Sequence, residues 1–291
     1  DPCSDLSAHA ALTADDTWSG RVIPTFRPDR YLEPAQEDWP ELVRRLGEAA
    51  DTDTGSYAGW VAAMERRRRH FLDHGATSAD HSHEDVRTNP LDAGEAERIY
   101  AAALAGAATL AETVALRRHM LLEMARMSCD DGLVMTLHPA VRRDHHRSTA
   151  EKFGADVGAD IPLRVEFTDA LRPLLERFGT HPNLHLVAFT LDETVFSREL
   201  GPLAGFYPSL YVGAPWWFLD SPDAVRRSRD AVTESAGFTR TSGFVDDTRA
   251  FASIPARHDL ARRIDAGYLG ALVAEHLLDL DEAIETAIDL A

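Results

Sequence analysis

Short apolar runs rich in β-branched residues alternate with longer amphipathic stretches along most of the chain, the pattern of βα units around a parallel sheet. Strands are expected at Arg21–Phe26, Ala76–His81, Leu133–His138, Leu184–Thr190, Leu210–Ala214 and Gly243–Asp247, each ending in polar, Gly or Pro residues. The runs "GLVMTLH" and "LHLVAFTL" are continuously apolar, as parallel strands covered on both faces should be. Helical spacing marks Trp39–Ala50 and Tyr57–His74, the second through Trp60, Met64 and Phe71, with Gly75 where a C-terminal cap glycine belongs. Glu95–Gly106 and Glu112–Met127 read as two helices between the second and third strands, a helical insertion over about residues 92–130. Leu171–Phe178, Asp223–Ser235 and Leu260–Glu275 complete the helices. The run Arg66–Arg69 lies on one of these helices and reads as a solvated face, because four successive residues point in four directions.

The fold class is therefore α/β, and the 291 residues read as a single barrel domain, since α/β barrels of about 250 residues commonly form one. Six strands do not close an eight-stranded barrel. On this reading the chain supplies about strands 3–8, and two further strands are expected upstream of Asp1. Barrel active sites sit at the carboxyl ends of strands, which directs attention to the residues there.

Composition narrows the chemistry. With 30 basic against 48 acidic residues the formal charge is −18, which repels phosphate backbones and argues against nucleic acid as a partner. No apolar run approaches the roughly 20 residues of a membrane helix. Two cysteines, Cys3 and Cys129, are too few for a disulfide framework, and a cytoplasmic location is the plain expectation. Lys152 is the single lysine and falls in the polar stretch Arg147 to Gly158, so a choice of Schiff-base lysines is absent. An anionic substrate must be held by arginines.

The strand ends carry Arg27 after "PTF", Asp80-His81 after "ATSA", His138 after "VMTL", Trp216-Trp217 after "VGAP", and Asp246-Asp247 with Arg249 after "GFV". Singly, a His or Asp at such a place is commonly a turn or cap residue. Together they form a candidate constellation. His81-Ser82-His83 has the spacing that puts two imidazoles on one side of an extended segment, although its polar surroundings favour a loop role for His83. His145-His146 reads as loop. Asp247 can bind a divalent ion or accept a proton from a sugar, with Arg249 two residues on; the competing reading is a helix-capping turn with a local ion pair.

At "VIPTFRPD", "SADH", "LVMTLHPAVRR", "GAPWWF" and "GFVDDTRAFASIPARHDLARRI" the sequence resembles the uronate isomerases, a branch of the amidohydrolase superfamily. The resemblance implies a (β/α)8 TIM barrel of the metal-dependent-hydrolase type. It implies an aldose–ketose isomerase of hexuronates with Asp247, Arg249 and His138 in catalysis, Arg27, Trp216 and His81 at the substrate, and Asp247 as ligand of a divalent metal, zinc the expected ion. Its partner would be a small-molecule hexuronate, with homo-oligomerisation left open. Where many relatives carry "DHG" this chain reads Asp80-His81-Ser82-His83, and Pro139 replaces a Gly after "LH"; these departures mark a subgroup, and no role is carried to His83 or Arg142. A metal-dependent hydrolase of the same superfamily and a non-catalytic fragment stand as alternatives.

Overall fold

The computed structural model describes residues 1–17, 19–247 and 250–290. In chain order the elements begin with helices α1 (Ser7–Thr13), α2 (Trp39–Ala50) and α3 (Tyr57–Asp73), then strand β1 (Ser78–His81). Helices α4 (Ala93–Leu104) and α5 (Leu110–Asp131) precede β2 (Val134–Leu137) and β3 (Val141–Arg142). There follow α6 (Arg147–Phe153), β4 (Ile161–Pro162), α7 (Arg172–Phe178), β5 (Leu186–Ala188), α8 (Gly201–Phe206) and β6 (Leu210–Val212). Helices α9 (Pro222–Ala236), α10 (Ile254–Ala274) and α11 (Leu280–Asp289) end the series. No described helix is long and apolar enough to cross a membrane. Two compact units emerge: Asp1–Leu137 with Asp169–Leu186, and His138–Thr168 with Val187–Ala291.

In the first unit, local chemistry sets the helix limits. The Ser56 side chain accepts from the Gly59 amide to open α3, and Gly75 at φ +84° follows its end. Thr109 and Glu112 form a reciprocal capping box at the start of α5, and Gly132 at φ +76° stops it. Strands β1 and β2 pair in parallel, Ser78 opposite Val134 through His81 opposite Leu137. Beside β2, the Met135 amide donates to the His185 carbonyl at 2.8 Å. Burial alternates along β1 and β2, with Ala79, His81, Met135 and Leu137 inward and Asp80 and Thr136 on the opposite face. The expected burial on both faces is met by β5, buried at each of its three positions, but not by β2.

The core of this unit centres on Trp39, Trp60, Met64, Phe71 and Tyr100, all at most 1% exposed. Tyr57 stacks on Trp60 at 5.7 Å, and Trp39 meets Tyr100 edge-on at 5.5 Å. The Tyr100 hydroxyl donates to the Thr54 carbonyl, so the phenol enters the core with its polar end satisfied. The arginine run corrects the expectation of a solvated face. Arg66 and Arg69 point to solvent, whereas Arg67 and Arg68 are buried. Arg68 pairs through Nε and Nη2 with both oxygens of Asp131, at 2.6 and 2.9 Å, and its guanidinium lies 5.6 Å from the Phe26 ring centroid. A run of four around a helix sends two members inward, and these found partners.

In the second unit, the Gly213 amide after β6 donates to the Ala188 carbonyl at the end of β5 at 2.8 Å. β3 and β4 form a short antiparallel pair that the apolar pattern does not announce. Gly205 is required where α8 crosses α9, since a Cβ there would lie 2.3 Å from the Ser235 carbonyl oxygen. Lys152 falls in helix α6, not in a loop, with its ammonium 4.9 Å from the Phe153 ring centroid, so the permanent cations that pair with carboxylates are guanidiniums.

Two expected strands are not strands. Of Arg21–Phe26 only Phe26 pairs, in a single parallel bridge to Ala79; Pro24 lacks an amide donor and restricts Ile23 before it. Of Gly243–Asp247 none pairs: the bridge to Val212 falls on Thr241. Gly243 at φ +71° and Asp247 at φ +44° leave the extended region, so a ladder cannot continue through them.

Candidate active-site residues

In the first unit the chain leaves Phe26 beside β1, where the Phe26 carbonyl accepts from the Asp80 amide at 2.8 Å. This delivers Arg27 to the end of the strand, with its side chain 47% exposed. Its Nε donates to Asp29 Oδ2 at 2.8 Å, and its Nη1 stands 3.5 Å from Asp80 Oδ2. Asp29 also accepts the Ser82 amide at 2.8 Å, so one carboxylate orients the guanidinium and secures the loop after β1. Asp80 in turn accepts from the Thr136 hydroxyl across the strand pair.

His81 points the other way, as the period of two requires. It is fully buried, Nδ1 lies 3.2 Å from the Thr136 carbonyl oxygen, and burial pushes its pKa down to about 4, so the ring is neutral near pH 7. His83 lies in the loop after β1, as expected, yet its side chain is only 1% exposed. Its Nδ1 is 2.6 Å from Glu33 Oε1, and its Nε2 is 3.9 Å from Asp29 Oδ1. Among the described residues no three of His, Cys, Asp or Glu come together to hold a metal ion.

In the second unit, His138 and Trp216 are neighbours, with ring centroids 6.3 Å apart. Trp216 is buried and meets Phe189 edge-on at 5.4 Å. Gly213 makes this wall: a Cβ there would come within 2.3 Å of the Phe189 ring. Trp217, by contrast, turns outward at φ +54° beneath the Arg143 guanidinium.

Asp247 is exposed and adopts a left-handed backbone, which Asp tolerates better than most residues. The residue before it is firmly held. Arg257, near the start of α10, donates from Nη2 to the Asp246 carbonyl at 2.6 Å and from Nε to Asp246 Oδ1 at 3.1 Å. The same Nη2 is 2.5 Å from Asp220 Oδ2. His258 packs edge-on against Phe244 at 4.9 Å, with Nε2 3.8 Å from Asp246 Oδ2. Arg249 lies outside the described residues.

The sequence nominates Arg27, Asp80, His81, His138, Trp216 and Asp247, and it does not nominate Asp29, Glu33, Phe189, Asp220, Arg257 and His258, which the structure places against them or their neighbours. Asp29 stands two residues beyond Arg27 in "FRPD", a spacing at which a carboxylate can reach back to a guanidinium. Arg257 and His258 lie in "SIPARHD", ahead of the expected helix Leu260–Glu275 but inside the observed α10, and nothing in the local pattern marks the loop that they clamp.

A family model described as glucuronate isomerase matches residues 1–289. The uronate isomerase of Cutibacterium acnes is 54% identical over 287 residues, covering 99% of this chain and 61% of that protein. The crystal structure of glucuronate isomerase from Caulobacter crescentus matches with a TM-score of 0.94 at 48% identity, over 99% of this chain and 60% of that one. The uronate isomerase structure from Thermotoga maritima matches with a TM-score of 0.93 at 28% identity, over 100% and 64%. The chain spans about three-fifths of the length of the relatives it matches.

Proposed function

The chain belongs to the glucuronate isomerase family and has its α/β-barrel fold class, and from that premise we propose that it acts as an aldose–ketose isomerase of hexuronic acids. The substrates are D-glucuronate and D-fructuronate, and by the same chemistry D-galacturonate and D-tagaturonate. The observation that carries the chemical side is Asp247: an exposed carboxylate on left-handed backbone, following a residue that Arg257 grips at both its carbonyl and its side chain.

In the proton route Asp247 takes the hydrogen from C2 of the open-chain aldose as a proton, and the electron pair moves into an enediol. The carbonyl oxygen at C1 gains a proton, the hydroxyl at C2 loses one, and Asp247 returns its proton to C1. Charge develops on O1 in the transition state, and Arg249 is the cation we assign to it. His138, set against Trp216, is assigned to carry the proton between the two oxygens. Trp216 is assigned as an apolar wall and His81 as a neutral imidazole for the substrate. A hydride shift between the two carbons is the other route to the same product.

Arg27 is the residue for the C6 carboxylate, since a planar guanidinium can donate two parallel hydrogen bonds. Its contact to Asp80, at 3.5 Å, is longer than a normal hydrogen bond and is the one a substrate carboxylate would replace; the shorter bond to Asp29 would stay. A divalent ion, zinc on the resemblance, would supply Lewis-acid polarisation of the carbonyl, with Asp247 as its ligand. The described residues do not assemble a donor set for it, and the steps above run through protein groups. Both cysteines are free thiols, which fits the cytoplasmic location included in this proposal.

The test is direct. The full-length protein is incubated with D-glucuronate and with D-galacturonate, and ketose formation is followed with and without a chelator. Ketose from either substrate is the expected result, and its absence with both overturns the reading. Loss of activity on chelation, restored by zinc, is expected if the metal is required.

A further inference from the structure

The segment "SIPARHD" carries an arginine in an unfavourable place. Arg257 lies near the amino end of α10, where the helix presents its positive pole, and cations are stabilised at the opposite end. Its position is explained by what it holds. Nη2 donates to the backbone carbonyl of Asp246 and stands 2.5 Å from Asp220 Oδ2, while Nε donates to Asp246 Oδ1. The guanidinium also lies 5.9 Å from the Phe244 ring centroid.

The bond to the Asp246 carbonyl matters most. A peptide unit is planar, so fixing that oxygen fixes the plane that contains the Asp247 nitrogen and Cα. Asp247 has φ +44°, a conformation that a residue with a side chain keeps only where its surroundings over-determine it. Through Asp220 the same guanidinium also reaches the turn that starts at Trp216, whose carbonyl accepts from the Leu219 amide at 3.0 Å. One side chain therefore ties the Asp247 loop to the Trp216 turn.

We propose that Arg257 is a positioning residue of the isomerisation, which aims the Asp247 carboxylate by locking the Asp246 peptide and anchors the Trp216 turn through Asp220. This rests on the reading of Asp247 as the proton-transfer base. Arg257 touches no reacting atom; its effect passes through the base.

The experiment uses the full-length protein with D-glucuronate and measures kcat and KM separately. Arg257→Met is expected to lower kcat by about tenfold to a hundredfold, the scale of lost charge-assisted hydrogen bonds, while KM changes less than about threefold. Arg257→Lys keeps the charge but cannot hold the carbonyl and both carboxylates in one plane, and is expected to fall between. A second arm places Asp247→Glu, which displaces the carboxylate, in the wild-type and Arg257→Met backgrounds. If Arg257 aims that carboxylate, the displacement costs at least about threefold less in the second background.

Losses that simply multiply, or a raised KM with unchanged kcat, would overturn the proposal. If Arg257→Met does not fold, as read by its thermal midpoint, the same cycle is run with Arg257→Lys. Asp247→Asn separates the two levels of the argument. If it retains more than about a tenth of wild-type kcat, the reading of Asp247 fails whatever Arg257 does. If it is inactive while the Arg257 losses multiply, only the positioning role fails.

Discussion

Replacing Arg68 by Met removes a buried cation and leaves its anion behind. The Arg68 side chain is 1% exposed and that of Asp131 is 11% exposed, and the pair is bidentate, with a further bond from Arg68 Nη2 to Ser128 Oγ at 3.0 Å. Met fills the volume of the arginine stem, so the packing loss is small. What changes is the surroundings of Asp131, the last residue of α5, where the helix end is already negative. Its one remaining donor in this network is the Leu133 amide, at 3.0 Å from Oδ1. Breaking one partner of a buried ion pair costs about 3–5 kcal/mol. At about 2–4 °C per kcal/mol, the thermal midpoint should fall by roughly 6–20 °C. Adding Asp131→Asn removes the stranded charge while keeping an acceptor for Leu133, so the double variant should recover more than half of the loss. Thermal and urea unfolding followed by near-UV circular dichroism read both. A single variant within about 1 kcal/mol of wild type, or a double variant no better than the single, would refute the account.

Asp247→Asn should leave the thermal midpoint near wild type and reduce kcat more than tenfold, since the amide keeps the shape and loses the basic oxygen; steady-state kinetics with D-glucuronate decides. Arg27→Met should weaken uronate binding by about 1.5–3 kcal/mol relative to the matching neutral hexose, and equal losses for both ligands would assign Arg27 to the scaffold. His81 gives a pH test. Its folded pKa, about 4, lies below the ordinary value near 6.5, so between these limits the unfolded chain binds the extra proton and stability falls as pH drops. His81→Gln should flatten that slope by up to about 1.4 kcal/mol per pH unit, measured by urea midpoints across the window; parallel profiles for the two proteins would show that His81 is not the group responsible.

Local signals carried much of the fold. Trp39–Ala50 has the expected limits, and Tyr57–Asp73 differs from its expectation by one residue, because amphipathic spacing and cap residues act within a few positions. The segments Arg21–Phe26 and Gly243–Asp247 were misread because β-branched content says nothing about pairing, and Pro24, Gly243 and the backbone of Asp247 prevent a ladder. The arginine run was misread because Asp131, which draws Arg68 inward, is 63 residues away. Among the nominated residues, His138 follows an observed strand, whereas Arg27 follows a single bridge and Asp247 a segment that forms no strand. The groups that hold them were not legible: Asp29 needed the side-chain geometry, and Arg257 reaches Asp246 only because α10 folds back on the loop before it.

The near-absence of lysine bears on the alkaline side of the stability curve. A lysine-paired surface begins to lose its cations near pH 10, whereas guanidinium groups stay charged beyond about pH 12. In this chain 29 of 30 basic side chains are arginine, so raising the pH leaves the ion pairs intact through that range. The buried groups whose ionisation then works against the fold are phenols and the Cys129 thiol, which burial pushes up to about 11. Burial raises Tyr57, Tyr100 and Tyr31 above the ordinary value near 10, Tyr31 aided by its contact with Cys3, so each stays protonated in the fold while the unfolded chain ionises. Their stabilisation is full below pH 10 and drains away above it. The base limit of this protein is therefore written largely in its aromatic core, and ionisation of these three phenols should coincide with the loss of tertiary structure.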